Sequence, residues 1–189
     1  MKDKRFMLYG YSSGTDGTYF SGTRVFTQNK DFRTEEQYRY YLESGLNTLM
    51  LEGNDPYYGE TWETSQTKKN MDTAYKAGID RIIIYDKRIF DCSEVRGGLI
   101  GDGKRFSTAE ELENFIRYCI KDYKTHPAFY GFMLVDEPRW FQIESLAQVV
   151  RATRKVAPEV FIQNNILPFY PGHGSLFLED YNGTSIDDE

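Results

Sequence analysis

Short apolar runs and amphipathic stretches take turns along this chain. "KRFMLYGYSSG" is an apolar run stopped by small residues, and it predicts a first strand. "RTEEQYRYYLESG" predicts a helix that starts at Thr34 as N-cap and stops at Gly45. "LNTLMLEGND" is a second apolar run, followed by a polar, aromatic loop. "SQTKKNMDTAYKAG" reads as a helix ending at Gly78, and the β-branched "DRIIIYD" as the clearest strand. A long loop, "KRIFDCSEVRGGLIGDGKRF", leads to "STAEELENFIRYCIKDYKTHP". There Ser107 with Glu110 or Glu111 makes an N-terminal cap signature, and Leu112, Phe115, Ile116, Cys119 and Ile120 recur at helical spacing. "AFYGFMLVDEP" predicts a fourth strand, "IESLAQVVRATRKVAP" a further helix, and "EVFIQNNILPFYPG" a fifth strand with its loop.

Strands alternating with helices imply parallel pairing through helical crossovers. The strands are near-continuous apolar runs, as expected where both faces are covered. Two α/β architectures fit one 189-residue domain. One is an open doubly wound sheet. The other is the first five units of a (β/α)₈ TIM barrel, whose usual length is ~250 residues. The open sheet's Gly-rich phosphate turn is poorly matched, because the glycines of "YGYSSGTDG" have the wrong spacing. "GGLIGDGK", Gly97 to Lys104, lacks the Gly-Lys-Ser/Thr ending of a phosphate loop and reads as a mobile βα loop.

Charge narrows the partners. A net charge of −6 disfavours a phosphate backbone, so no nucleic acid is expected. No apolar run approaches the ~20 residues of a membrane span and no polybasic block is present, so no membrane partner is expected; no signal peptide is visible, and the compartment stays open. Two cysteines, Cys92 in the long loop and Cys119 on a helix, exclude a disulfide framework and read as free thiols. Two histidines without ligand spacing give no metal site, and no cofactor is expected. His126, before Pro127, reads as a helix-terminal cap.

In parallel α/β proteins chemistry collects at the C-terminal strand ends. Here those ends carry Tyr9 and Tyr11, then Glu52, Asn54 and Asp55, then Asp86, then Asp136, Glu137 and Trp140, then Asn164 and Asn165, with His173 in the last loop. "FYGFMLVDEPRWF" runs an apolar strand straight into two acids and a proline. Period-two alternation puts Glu137 on the face of Val135, Met133 and Gly131. If that face is interior, burial would raise the carboxyl's pKa into the range of a proton donor near neutral pH. Pro138 ends the strand by removing a backbone donor. The other reading of Asp136 and Glu137 is an acidic cap at a helix N-terminus. Tyr57, Tyr58 and Trp62 in one loop and Trp140 after the acids offer flat apolar faces for sugar rings, or packing under loops.

"YGFMLVDEPRW", with "HPAFYGF" before it and "FIQNNILPFY" after it, resembles the fourth-strand region of retaining (β/α)₈ glycoside hydrolases of clan A. The likeness is to a bacterial branch whose strand ends in Asp-Glu-Pro. It implies a barrel that hydrolyses a carbohydrate, with Glu137 as general acid/base. The clan's residue before that acid is usually Asn, which contacts the sugar, and here it is Asp136. The resemblance also implies a nucleophilic Glu at a seventh strand, and this chain is expected to stop after the fifth. The expected substrate contacts are Asp136, Trp140, Glu52, Asp86, Asn164, Asn165, Tyr11, Trp62 and His173. Half a barrel is further expected to meet a missing half, or a second copy, through open sheet edges. A carbohydrate-binding barrel without hydrolysis is the alternative.

Overall fold

The computed structural model describes residues 7–8, 18–21, 24–27, 33–53 and 61–165. A short antiparallel hairpin comes first, β1 (Thr18–Ser21) with β2 (Arg24–Thr27), paired Thr18 to Thr27 and Ser21 to Arg24. The alternation of strand and helix follows: α1 (Glu35–Glu43), β3 (Leu49–Glu52), α2 (Gln66–Lys76), β4 (Ile82–Tyr85), α3 (Lys87–Ser93), α4 (Ala109–Ile120), β5 (Phe129–Asp136), α5 (Ile143–Val156) and β6 (Phe161–Asn165). The last four strands form a sheet in the order β3-β4-β5-β6. Chain order and sheet order coincide, as they do around a barrel. A doubly wound sheet reverses its order at a switch point.

The chain divides into two compact units, residues 1–85 with 122–130, and residues 86–121 with 131–189. In the first, β3 and β4 pair in parallel from Leu49 with Ile82 to Glu52 with Tyr85. Leu49, Ile82, Ile83 and Ile84 are fully buried, which is why these strands read as unbroken apolar runs. The flanking helices start where hydroxyls cap them. The Gln37 amide donates to Thr34 Oγ1 at 3.3 Å and the Lys68 amide to Ser65 Oγ at 3.1 Å. Of the predicted first strand only Met7 and Leu8 are described. The Leu8 carbonyl accepts the Asn47 and Thr48 amides at 2.8 and 3.2 Å, beside the entry to β3.

In the second unit α4 is capped by Thr108, one residue later than expected from Ser107. The Glu111 amide donates to Thr108 Oγ1, while Glu111 Oε2 reaches back to accept the Ser107 amide at 2.7 Å. The long loop expected after β4 is partly helical. It contains α3, so Cys92 is a buried helical residue. Both thiols are free, and burial pushes Cys92 up to about 11 and Cys119 up to about 12, which keeps them protonated and unreactive. The Gly97–Lys104 segment, expected as a mobile loop, is instead tied by hydrogen bonds. Its Gly98 and Leu99 amides donate to Ser145 Oγ and Gln148 Oε1 of α5, and Lys104 Nζ donates to the Gly97 carbonyl at 3.2 Å.

β5 and β6 pair in parallel, Gly131 with Phe161 and Met133 with Gln163. A Cβ at position 131 would drive into the Phe161 carbonyl, so only glycine admits this approach. The register then shifts between Met133 and Asp136, a bulge that sets the geometry of the strand end.

Candidate active site

The C-terminal ends of β5 and β6 bring together Asp136, Glu137 and Asn165. Asn165 Nδ2 donates to Asp136 Oδ1 at 2.7 Å. The Glu137 amide donates to the Asn165 carbonyl at 2.8 Å, one residue beyond the regular pairing. Glu137 has φ 48°, and it is the one non-glycine with positive φ among the described residues. That conformation costs a side-chain-bearing residue about 1–2 kcal/mol and persists where its surroundings hold it. Here the holding groups are the bond to Asn165 and the buried ring of Pro138.

Two expectations about Glu137 change. Its side chain is exposed, not set on an apolar column. The bulge and the left-handed turn break the period-two alternation from which burial was inferred. The acidic-cap alternative also fails. The chain passes through Pro138 and a 3-10 turn, Trp140–Gln142, before α5 begins with Gln142 at its N-cap. The Arg139 amide is taken by Gln142 Oε1 at 2.6 Å, so Gln142 supplies the local side-chain acceptor at that helix entry. Trp140 is half-buried on this turn.

On β6, the buried atoms Asn164 Oδ1 and Gln163 Oε1 have no hydrogen-bond partner among the described residues. Such acceptors are rare in folded proteins, and each calls for a donor. Gln163 was not read as a site residue because it sits inside an apolar run, two positions short of the strand end. Its signal was a glutamine within "VFIQNN".

Asp86 has a different task from the expected sugar contact. It is fully buried, caps α3 through the Arg88 amide at 2.9 Å, and receives Arg88 Nε at 3.0 Å and a terminal nitrogen at 2.6 Å. Both carboxylate oxygens therefore face one guanidinium, in bidentate geometry. Glu52 and Trp62 belong to the first unit. Glu52 is exposed at the end of β3, and its carbonyl accepts Thr67 Oγ1 at 3.3 Å. Trp62 packs edge-on against Tyr123, with centroids 5.4 Å apart. Tyr11 and His173, with Tyr9, Asn54, Asp55, Tyr57 and Tyr58, lie outside the described residues. His126 is buried in the first unit. Its Nδ1 accepts the Ala128 amide at 3.1 Å, and its Nε2 lies 3.3 Å from Asp72 Oδ1. Among the described residues no group of three or more His, Cys, Asp and Glu is placed to hold a metal ion.

The strand order and the parallel pairings are those of a (β/α) barrel. The chain superposes on the endoglucanase Cel5A of Pseudomonas stutzeri with a TM-score of 0.50 at 19% identity, covering 82% of this chain and 50% of that one. The same endoglucanase in complex with cellobiose matches with a TM-score of 0.50 at 19% identity, over 82% of this chain and 49% of that one. This chain therefore spans about half the length of these neighbours. No family model and no curated protein matches the sequence. The architecture is a partial (β/α) barrel, and the open doubly wound alternative is set aside.

Proposed function

We propose that this chain is part of a glycoside hydrolase barrel that acts on a polysaccharide, with Glu137 as the general acid/base. The observation that carries this reading is the pair Asp136–Glu137 at the end of β5, tied to Asn165 and held at a strained backbone angle. Asp136, Asn164, Asn165 and Trp140 supply sugar contacts: acceptors for hydroxyls and an aromatic face for a ring. Glu52, Trp62, Tyr11 and His173 remain proposed contacts from other strand ends and loops. A retaining reaction needs a second carboxylate about 5–5.5 Å from the first. We assign it to sequence beyond this chain, or to a second chain that completes the barrel through the β3 and β6 sides of the sheet. The similarity to an endoglucanase crystallised with cellobiose makes cello-oligosaccharides the first probes.

A second reading is a carbohydrate-binding barrel without hydrolysis. The unpartnered acceptors of Gln163 and Asn164 and the exposed position of Glu137 favour it. The two separate on turnover. In protein carrying both carboxylates, Glu137→Gln lowers kcat on a natural glycan by about 10²–10⁴, the usual worth of acid–base catalysis. An activated aryl glycoside shows a smaller loss. Unchanged turnover on both substrates overturns the assignment, and saccharide binding without turnover in the unaltered protein favours the binding barrel.

A further inference from the structure

The segment that follows Trp140 is tied to the connection between α3 and α4. Gln142 Nε2 donates to the Glu94 carbonyl at 3.4 Å and Ser145 Oγ to the Val95 carbonyl at 2.6 Å. The Gly97 amide donates to the Phe141 carbonyl at 3.0 Å, and the Gly98 and Leu99 amides to Ser145 and Gln148. Residues 94–99 are thus laced to residues 141–148. Arg96 stands in the middle of this lacing. It is exposed and makes no ion pair among the described residues. Its guanidinium lies instead over two rings, 5.8 Å from the centroid of Trp140 and 5.2 Å from that of Phe141. Those rings meet edge-on at 5.9 Å. Both guanidinium distances are within cation–π range.

We propose that Arg96 is a positioning residue that holds the Trp140 ring in the orientation in which it receives a sugar. The charge of an exposed arginine normally stays in water, and here it lies over two aromatic rings that follow the candidate acid by three and four residues. The guanidinium plane restricts rotation of the Trp140 ring, and the laced backbone fixes where that guanidinium sits. An aromatic platform held in advance of binding loses less freedom when a sugar arrives. The functional half of this inference rests on the carbohydrate reading above, while the positional half does not.

The chain has two tryptophans, Trp62 and Trp140, so Trp62→Phe leaves Trp140 as sole reporter. In that background Arg96→Ala is expected to raise the acrylamide quenching constant of Trp140 about twofold, with Arg96→Lys intermediate. In the protein that keeps Trp62, Arg96→Ala is expected to lower cellohexaose affinity about two- to five-fold, the worth of an exposed cation–π contact. Once Trp140 is replaced by Ala, Arg96→Ala should have no further effect on affinity. A quenching constant that Arg96→Ala leaves unchanged overturns the proposal. A loss of affinity confined to acidic oligosaccharides also overturns it, because Arg96 would then be a direct ligand contact. Raised quenching in a protein that binds no saccharide supports the positional role and overturns the carbohydrate reading alone.

Discussion

Glu137 occupies a left-handed backbone conformation that glutamate resists, and the residue before a proline is restricted further. Its surroundings keep it there through the bond to Asn165 and through Pro138. The acid could be read from "VDEP", but its exposure could not, because alternation carries no information about a bulge. Asp86 shows the opposite limit. A strand-end carboxylate looks the same in sequence whether it faces a ligand or an arginine two residues away. His126 gives the residue scale its pH dependence. Burial lowers its pKa against the attraction of Asp72, while Lys68 lowers it further. Its folded pKa therefore lies below the unfolded value of about 6.5. The unfolded chain binds more protons in that window, so stability is complete above about pH 6.5 and falls as pH drops toward the folded pKa. Melting temperatures measured from pH 7.5 to 5 should show this decline. His126→Gln should flatten it, and an unaltered slope in that variant would count against the assignment.

At the scale of elements, the helices were legible where hydroxyls cap them, as Thr34 and Ser65 do for α1 and α2. α3 was not, because seven residues hold too few turns to show a helical period inside a Gly-rich stretch. The β1–β2 hairpin also escaped. Its cue was two aromatic or β-branched runs around Gly22-Thr23 in "TYFSGTRVFT". Gly131 was read only as one member of an apolar strand, although it decides how closely β6 packs on β5. Gly131→Ala must push the strands apart and is expected to destabilise the protein by about 1–3 kcal/mol, in the range of other overpacking changes. Thermal unfolding checks this, with a fall of several degrees expected for a chain of this size. An unchanged midpoint would show that the strands separate without strain.

For the whole molecule, parallel α/β order followed from the alternation of apolar runs and stripes, and the sheet order β3-β4-β5-β6 agrees with a barrel's winding. Both architectures produce the same local pattern, so the barrel was read from the glycine spacing of "YGYSSGTDG" and from the resemblance carried by "YGFMLVDEPRW". Strand order is a long-range property. The same holds for the site. Asp136, Glu137 and Asn165 are 29 residues apart at most, and pairing of β5 with β6 brings them together. The central claim is that these strand ends receive a carbohydrate. It is tested most directly by titrating isotope-labelled protein with cellohexaose and following amide resonances by NMR. The account predicts saturable shifts concentrated on Asp136, Glu137, Trp140 and Asn165 and on the side-chain amides of Gln163 and Asn164. No shift with a panel of neutral and acidic oligosaccharides, or shifts confined to other residues, would contradict it.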